Sequence, residues 1–220
     1  MSPARVLEKT SIEAELRAAG HIHLAGCDEA GRGALAGPVV AGAVILDPQR
    51  PIAGLRDSKV LSRAERQRLA NEIREHALAW ALGESSAEEV DAINVLQASM
   101  RAMRRALDAL HVRPCIALVD GPHLPQLPSG LPGRAIIDGD TLADCIMAGA
   151  ILAKVQRDAQ LTELDDVWPG YGFAQHFGYG TPEHLAALER LGPCAAHRRT
   201  FRPVAVLCAD GLFCAEHRAD

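Results

Sequence analysis

The order of short apolar runs and longer helical patterns constrains the fold of this chain more than any other feature of its sequence. Five apolar runs of strand length lie within residues 21–29, 38–46, 77–83, 115–121 and 134–140. After a short leader helix, helical patterns lie within residues 62–79, 87–110, 141–161 and 182–191. Strands that alternate with helices predict an α/β fold, in which a mixed sheet is flanked by helices and the C-terminal part is helical.

The length and composition predict a single domain. The chain has 220 residues, of which 48% are hydrophobic and 23% charged, and this composition is typical of a packed globular core. Apolar runs of roughly 18 residues are missing, and residues 1–20 are too charged for a secretory signal, so we expect a cytoplasmic protein without a membrane segment. The formal net charge of -5 argues against coating nucleic acid by bulk electrostatics, but it is compatible with a local basic groove.

The six cysteines predict reduced thiols. The sequence contains no Cys-x-x-Cys pair, and Cys27, Cys115 and Cys145 lie in apolar surroundings, where cysteine serves as a small hydrophobic residue. The alternative is a disulfide between Cys208 and Cys214, which are six positions apart.

Acidic residues follow three of the predicted strands. Asp28 and Glu29 end the first apolar run, Asp120 the fourth, and Asp138 and Asp140 the fifth. Such strand ends converge, and clustered carboxylates repel one another unless a hard divalent cation binds them. Mg²⁺ or Mn²⁺ is the expected occupant, and two such ions would suit phosphoester cleavage. The alternative is that each acid is only a turn residue or a helix N-cap.

A glycine-rich turn, Gly31-Arg32-Gly33, directly follows the first pair of acids. Glycines let the backbone approach a ligand closely, although such a turn alone is not specific. The surrounding segment, GCDEAGRGALAGPVVAGAVIL, resembles the N-terminal motif of type 2 ribonuclease H (RNase HII). Further segments follow in that family's order: LRDSKVLS, LVDG, GDTLADCIMAGAILAKVQRD, YGFAQHFGYGT and HRRTF. The resemblance covers residues 22–203.

The resemblance implies a ribonuclease-H-like fold and a metal-dependent endoribonuclease. Such an enzyme cuts the RNA strand of RNA–DNA hybrids and incises 5′ to single ribonucleotides embedded in duplex DNA, leaving a 3′-hydroxyl and a 5′-phosphate. The catalytic and metal-binding residues carried over from the family are Asp28, Glu29, Asp120 and Asp140. The substrate-binding residues carried over are Gly31, Arg32, Gly33, Ser58, Lys59 and Tyr179.

Two of these substrate-binding assignments have alternatives. Tyr179 is expected to stack on the sugar after the ribonucleotide, with Tyr171 as the competing assignment. Lys59 is expected to contact a phosphate, or else to pair with the nearby Asp57. The glycine backbone is expected to sense the 2′-hydroxyl, because that group alone distinguishes RNA from DNA locally.

The resemblance also implies an organisation and a set of partners. It places a leader at residues 1–20, a catalytic domain at 21–203 and a tail at 204–220. It implies a monomer that acts on RNA–DNA hybrid and on ribonucleotide-containing duplex DNA, and the tail contains no evident sliding-clamp motif. The first rival is the related type 3 family, which carries an additional N-terminal domain for which residues 1–20 leave no room.

Three features depart from the family pattern, and the altered block at residues 138–150 supports a second rival, a catalytically silent hybrid-binding protein. Asp138 stands where a basic residue is usual, the stretch 148–151 lacks a serine, and Phe177 replaces a lysine. Because the four acids and the Gly-Arg-Gly turn are intact, we expect an active enzyme.

Other polar residues have expected roles outside the catalytic site. The run His197-Arg198-Arg199 is expected either to line the DNA path or to be a solvated surface segment. His176 is expected to be a hydrogen-bonded structural residue, with the orientation of a ligand as the alternative. The long helix predicted within residues 141–161 contains three residues expected to make structural polar contacts: Lys154, Arg157 and Asp158.

Overall fold

The computed structural model describes residues 11–209, and that part of the chain contains a five-stranded mixed sheet. Its strands are β1 (Leu24–Ala30), β2 (Val39–Ile45), β3 (Ala79–Ser85), β4 (Ile116–Asp120) and β5 (Gly133–Ile136). Their spatial order is β3-β2-β1-β4-β5. The first three strands pair antiparallel, whereas β1, β4 and β5 run parallel to one another. The predicted α/β class and mixed sheet are confirmed.

The helices of the described residues pack around this sheet. They are α1 (Ser11–Ala18), α2 (Arg63–His76), α3 (Ala87–Ile93), α4 (Val95–Asp108), α5 (Gly139–Leu142), α6 (Asp144–Val167), α7 (Phe173–His176), α8 (Pro182–Leu191) and α9 (Arg202–Ala209). Helix α2 begins with a capping box, since the Ser62 hydroxyl accepts the Glu65 N–H and the Glu65 carboxylate accepts the Ser62 N–H. Within residues 11–209, we find no helix with the length and apolar character needed to cross a membrane.

The long helix α6 lies very close to one face of the sheet because glycines form the contact. Gly26 of β1 and Gly42 of β2 lie directly against α6, where Gly149 faces Gly42. A Cβ atom at Gly149 would lie 2.6 Å from the Gly42 carbonyl oxygen, and one at Gly26 would overlap the backbone of Cys145. These contacts fix α6 against the strand that contains the first pair of acids.

The opposite face of the sheet packs against α4. Ala25 and Cys27 of β1 lie in one buried cluster with Met103 of α4. Because successive side chains of a strand point to opposite faces, Asp28 lies on the α6 side. The parallel pairing of β1 with β4 then brings the carboxyl ends of both strands to the same edge.

The structure corrects the predicted helix over residues 87–110, which is two helices. Asn94 separates α3 from α4, with a left-handed φ of +66°. Its side-chain oxygen accepts the N–H of Gln97 at 3.1 Å and thereby caps the second helix. The predicted end of the long helix is also wrong, because α6 continues to Val167 rather than ending at residue 161.

The predicted fifth strand is too long. It ends at Ile136, and the chain then turns through Asp138, whose φ is +55°. Asp140 therefore lies in the one-turn helix α5 rather than at a strand end.

Both ends of the described chain are helical. The predicted leader helix is α1, and its Glu13 carboxylate accepts the N–H of Cys145 at 2.8 Å, which joins α1 to the start of α6. Helix α9 spans the expected boundary between domain and tail. The predicted reduced thiols are confirmed for Cys27 and Cys145, which are buried, whereas Cys214 lies outside the described residues.

Candidate active site

The four predicted acids come together at the carboxyl edge of β1 and β4. Asp28 and Glu29 lie near the end of β1, and Asp120 is the last residue of β4. Asp140 joins them from α5, where its N–H donates to Asp120 Oδ1 at 3.3 Å. The remaining acid, Asp138, is exposed on the turn before α5.

Burial and mutual repulsion make this group of acids electrostatically unfavourable. The side chain of Asp28 is only 7% exposed, and its pKa is raised well above the usual value by burial and by the charges of Glu29 and Asp120. Burial raises the pKa of Glu29, although the Arg32 charge lowers it. Burial and the charge of Asp140 raise the pKa of Asp120. The ionised acids therefore destabilise one another in the folded protein.

Two exposed cations lie against the acids. Lys59 Nζ donates to Asp140 Oδ2 at 2.8 Å, and this hydrogen bond is the main cause of the raised Lys59 pKa. Arg32 Nη1 lies 3.4 Å from Glu29 Oε1. The alternative that Lys59 pairs with Asp57 is wrong, since the Asp57 carboxylate accepts the Lys59 backbone N–H instead.

A cleft of about 560 Å³ opens beside the acids. It is lined by Asp28, Glu29, Ala30, Gly31, Arg32, Gly33, Ser58, Lys59, Arg66, Asp120, Ala150, Lys154 and Tyr179. Every predicted substrate-binding residue is in this set. Four lining residues are not among the predicted site residues: Ala30, Arg66, Ala150 and Lys154. Ala150 and Lys154 are four positions apart, so helical periodicity predicts a shared face once one of them is known to face the cleft.

The two glycines of the Gly-Arg-Gly turn are constrained differently. Gly31 has a φ of +92°, and a Cβ atom there would overlap the guanidinium of Arg157. A Cβ atom at Gly33 would meet no atom within 4 Å. The protein itself therefore requires glycine at position 31, whereas at position 33 it leaves space beside the cleft.

The two tyrosines of the chain occupy different environments. Tyr171 is 7% exposed, its hydroxyl donates to the Gly192 carbonyl at 2.6 Å, and its ring stacks on Phe173. Tyr179 lines the cleft, with its ring centroid 5.4 Å from Lys154 Nζ. This placement favours Tyr179 for contact with a ligand and a packing role for Tyr171.

Both expectations for the run 197–199 are wrong for its first two residues. His197 and Arg198 are 2% and 0% exposed, so neither lies on a DNA path or on a solvated surface. Their neighbour Arg199 is exposed, and its N–H donates to Asp91. The structural role predicted for His176 is confirmed, because its Nε2 lies 2.8 Å from the Tyr171 carbonyl oxygen.

Two of the three departures from the family pattern have visible consequences. In the stretch 148–151, Gly149 permits the close approach of α6 to β2, and Ala150 presents a methyl group to the cleft. Phe177 adopts a left-handed φ of +50°, and its ring lies 5.0 Å from Lys154 Nζ. The exposed Asp138 has no contact in the structure that explains its charge.

The donor chemistry of the acids fits a hard divalent cation. All four candidate ligands are carboxylates, and a cation among them would relieve the repulsion that, after burial, raises three of their pKa values. Within residues 11–209, no three Asp, Glu, His or Cys side chains are already gathered around one metal position. Protein groups hold two of these acids instead, through Lys59 on Asp140 and Arg32 on Glu29.

Carboxylates at the ends of adjacent parallel strands, beside a cleft with cations on its rim, define a nuclease-like site on a ribonuclease-H-like sheet. Two solved structures share this fold. Ribonuclease H2 from Pyrococcus horikoshii has a TM-score of 0.72 at 24% identity and covers 86% of this chain and 98% of that one. Bst-RNase HIII, solved in complex with Mn²⁺, has a TM-score of 0.65 at 15% identity and covers 87% and 71%.

The sequence identifies the family within this class. Residues 25–204 match the family model of ribonuclease HII. Ribonuclease HII of Idiomarina loihiensis is 52% identical over 187 residues, which are 85% of this chain and 99% of that protein. The chain belongs to the ribonuclease HII family and is an endoribonuclease. The predicted family is confirmed.

Proposed function

We propose that this endoribonuclease depends on divalent metal ions, cuts the RNA strand of RNA–DNA hybrids and incises 5′ to single ribonucleotides embedded in duplex DNA. The observation that carries the proposal is that three of the acids, the glycine turn and Tyr179 border one cleft. Asp140 belongs to the same group through its hydrogen bond to Asp120. We place the catalytic unit, a monomer, at residues 21–203, between a leader and a tail.

The four acids, Asp28, Glu29, Asp120 and Asp140, are the residues proposed to hold two Mg²⁺ or Mn²⁺ ions. Bound there, the ions would supply an activated water and a counter-charge for the departing 3′-oxygen, so that the products have 3′-hydroxyl and 5′-phosphate ends. The Lys59 side chain is 76% exposed, so its ion pair with Asp140 is weak and can be exchanged for another partner.

The glycine turn and Tyr179 are proposed to recognise the ribonucleotide. The open space beside Gly33 lets backbone groups of the turn approach a 2′-hydroxyl. Tyr179 presents its ring to the same cleft, where it can stack on the following sugar. Both groups lie beside the acids, so recognition and cleavage would act on adjacent nucleotides.

Cations on the cleft rim are proposed to bind the phosphate backbone. Arg32 and Lys59 are largely exposed, so each can reach a phosphate when its carboxylate partner is otherwise occupied. Arg66 instead donates to the carbonyl oxygens of Ser58 and Leu61, which holds the segment containing Lys59 in place. This local positive charge is compatible with the negative charge of the whole chain.

Cleavage of three matched duplexes tests the proposal. One contains a single ribonucleotide, one is a uniform RNA–DNA hybrid and one is all DNA, each assayed with Mg²⁺, with Mn²⁺ and with a chelator. We expect metal-dependent cleavage of the first two, with 3′-hydroxyl and 5′-phosphate ends, and no cleavage of the third. Binding of the hybrid without cleavage under any condition would instead support a silent hybrid-binding protein.

Gly33→Ala tests the recognition step separately from the fold. Because the added methyl meets no protein atom within 4 Å, the variant should keep the melting temperature of the wild type. If the turn backbone approaches the 2′-hydroxyl, cleavage of both ribonucleotide-containing duplexes should fall. Unchanged rates would remove position 33 from the proposed contact.

A further inference from the structure

Arg157 of α6 is a fully buried cation, and each of the three nitrogens of its guanidinium donates a hydrogen bond to a backbone carbonyl. Its side chain is 0% exposed. Nε donates to Pro38 O at 3.0 Å, Nη2 to Ala36 O at 3.0 Å and Nη1 to Phe177 O at 2.9 Å. The acceptors come from two segments that are about 140 positions apart in the chain, so one planar group joins distant parts of the sequence.

These two segments are the ones proposed to recognise the ribonucleotide. The first is the GRG loop, residues 31–38, which begins with the glycine turn. The second is the tyrosine loop, residues 177–181, which contains Tyr179. A further hydrogen bond, from Leu35 N–H to Gly178 O at 2.8 Å, also joins the two loops.

Arg157 also fills the space between the recognition elements. Its guanidinium lies so close to Gly31 that a Cβ atom there would overlap it. Its Cζ also lies 5.3 Å from the centroid of the Tyr179 ring. The same guanidinium therefore lies next to both the start of the GRG loop and the tyrosine ring.

Apart from these contacts, no ion pair among the described residues compensates for burial of the Arg157 charge. The adjacent carboxylate, Asp158, pairs with Lys154 at 2.8 Å. A buried cation is unfavourable unless hydrogen bonds replace its hydration, and only the planar fork of arginine reaches three carbonyls at once. An uncharged side chain would fill this volume with less desolvation, but it would not hold the two loops at a fixed separation.

We propose that Arg157 is a positioning residue that sets the separation of the GRG loop from Tyr179 and thereby the preference of the enzyme for an embedded ribonucleotide over a uniform hybrid. The inference rests on the proposed function of both loops. It adds a specificity-determining residue that lies beneath the cleft and does not contact the nucleic acid.

Arg198 provides a matched control. It is also fully buried, and its guanidinium donates to Arg32 O at 3.1 Å and to Gly37 O at 2.9 and 3.0 Å. Both acceptors belong to the GRG loop. Arg198 thus resembles Arg157 in charge, burial and type of acceptor, but its hydrogen bonds hold one loop rather than joining two.

The test compares Arg157→Lys, Arg157→Gln and Arg198→Lys by kcat and KM on the single-ribonucleotide duplex and on the uniform hybrid. Lysine keeps the charge but loses the fork, and glutamine keeps part of the hydrogen bonding without the charge. Both Arg157 variants should lower the ratio of kcat/KM on the two duplexes by about fivefold or more, the lower limit for a lost stacking contact. Arg198→Lys should lower both activities together and leave the ratio unchanged.

A double variant shows whether Arg157 acts through the tyrosine. In a Tyr179→Ala background, Arg157→Lys should cause no further change in the ratio, because the ring that it positions is absent. Equal additional losses in both backgrounds would contradict this route.

Failure of the inference can be distinguished from failure of the proposed function. A wild-type protein that does not cut at the single ribonucleotide would overturn the proposed function. A wild type that cuts there, with folded Arg157 variants that keep its ratio and only melt at lower temperature, would overturn the inference alone. If neither Arg157 variant folds while Arg198→Lys does, Arg157 has a role in stability only, and the inference is again overturned.

Discussion

The side of the cleft proposed to be catalytic and the side proposed to recognise the ribonucleotide are held in opposite ways. On the catalytic side, Asp28, Glu29 and Asp120 have raised pKa values because they are buried close to other carboxylates. On the recognition side, the GRG loop and the tyrosine loop are held by buried donors whose hydrogen bonds end on backbone carbonyls. The first arrangement is destabilised by its own charge, and the second is stabilised by satisfied polar contacts.

This difference indicates how the chain divides its two tasks. A group of repelling carboxylates gains stability when a cation binds, so cation binding would stabilise the catalytic side. The recognition loops are already joined to each other and to α6 before any nucleic acid binds. We infer that the surface that recognises the substrate is preformed, whereas the group of four acids is completed by its ions.

The largest expected effect comes from breaking the catalytic side with Asp120→Asn. The variant should lower cleavage of both duplexes by several orders of magnitude, as expected for loss of metal-ion catalysis. Its melting temperature without metal should not fall, because one repelling charge is removed while asparagine can still accept the Asp140 N–H. A folded Asp120→Asn protein with nearly wild-type turnover would contradict the assignment of this acid.

The next largest expected effect is the stabilisation of the folded protein by metal ions. Saturating Mg²⁺ or Mn²⁺ at low salt should stabilise the protein by about 2.7 kcal/mol when the ion is at a hundred times its Kd. Asp140→Asn should remove much of this increase, measured as the shift in melting temperature. A wild-type melting temperature that neither ion changes would count against an acidic site that gains stability from cations.

Tyr179→Ala should change specificity on the recognition side. Loss of a stacking contact worth about 1–3 kcal/mol should weaken cleavage at a single ribonucleotide more than cleavage of uniform hybrid. Tyr171→Ala is the control, and it should lower both activities together because that ring is buried. If the ratio changes in Tyr171→Ala and not in Tyr179→Ala, the two assignments must be exchanged.

Acidification should have opposite effects through His197, which pairs with Ala36 of the GRG loop, and through Asp120 on the catalytic side. His197 is buried beside His184 and Cys194, with His176 and Tyr171 near it, and burial lowers its pKa to about 3. The unfolded chain therefore takes up a proton near pH 6.5 that the native state refuses, so stability is lost as the pH falls from about 6.5 towards 3. The raised pKa of Asp120 acts oppositely, because its protonation in the folded state removes repulsion as the pH falls.

Unfolding in urea across this pH range separates the two contributions. His197→Gln should make the loss of stability below pH 6.5 less steep. Each unit of difference between the folded and unfolded pKa values that the variant removes corresponds to about 1.4 kcal/mol of stability. Asp120→Asn should make the loss steeper, because the compensating protonation is absent. An unchanged slope in His197→Gln would show that this histidine is not held neutral by the fold.

The sequence predicts the catalytic acids and the residues of the recognition loops, but it does not predict the buried contacts that hold those loops. Apolar runs that end in acids locate Asp28, Glu29 and Asp120, because strand direction alone brings their ends to one edge. Asp140 was identified through the family motif, but its placement on a helix was not, since a short strand followed by a left-handed residue leaves no periodic signal.

The buried arginines show why these contacts are not predictable from sequence. Arginine in a sequence predicts an exposed residue, as was expected for Arg198, and nothing local shows that carbonyls from distant segments will replace its hydration. Two acceptors of Arg157, Ala36 and Pro38, precede it by 119 to 121 positions in the sequence, and the third, Phe177, follows it by 20. Only the folded chain brings them together.

Amide hydrogen exchange with and without Mg²⁺ tests the contrast between the two sides most directly. Without metal, the N–H groups of Leu35, Gly37 and Arg198, which are bound to backbone carbonyls, should already be strongly protected. Mg²⁺ should leave these amides unchanged and slow exchange at Asp140, whose N–H donates only to the Asp120 carboxylate at 3.3 Å. Weak protection of the GRG loop that appears only when Mg²⁺ is added would contradict a preformed recognition side.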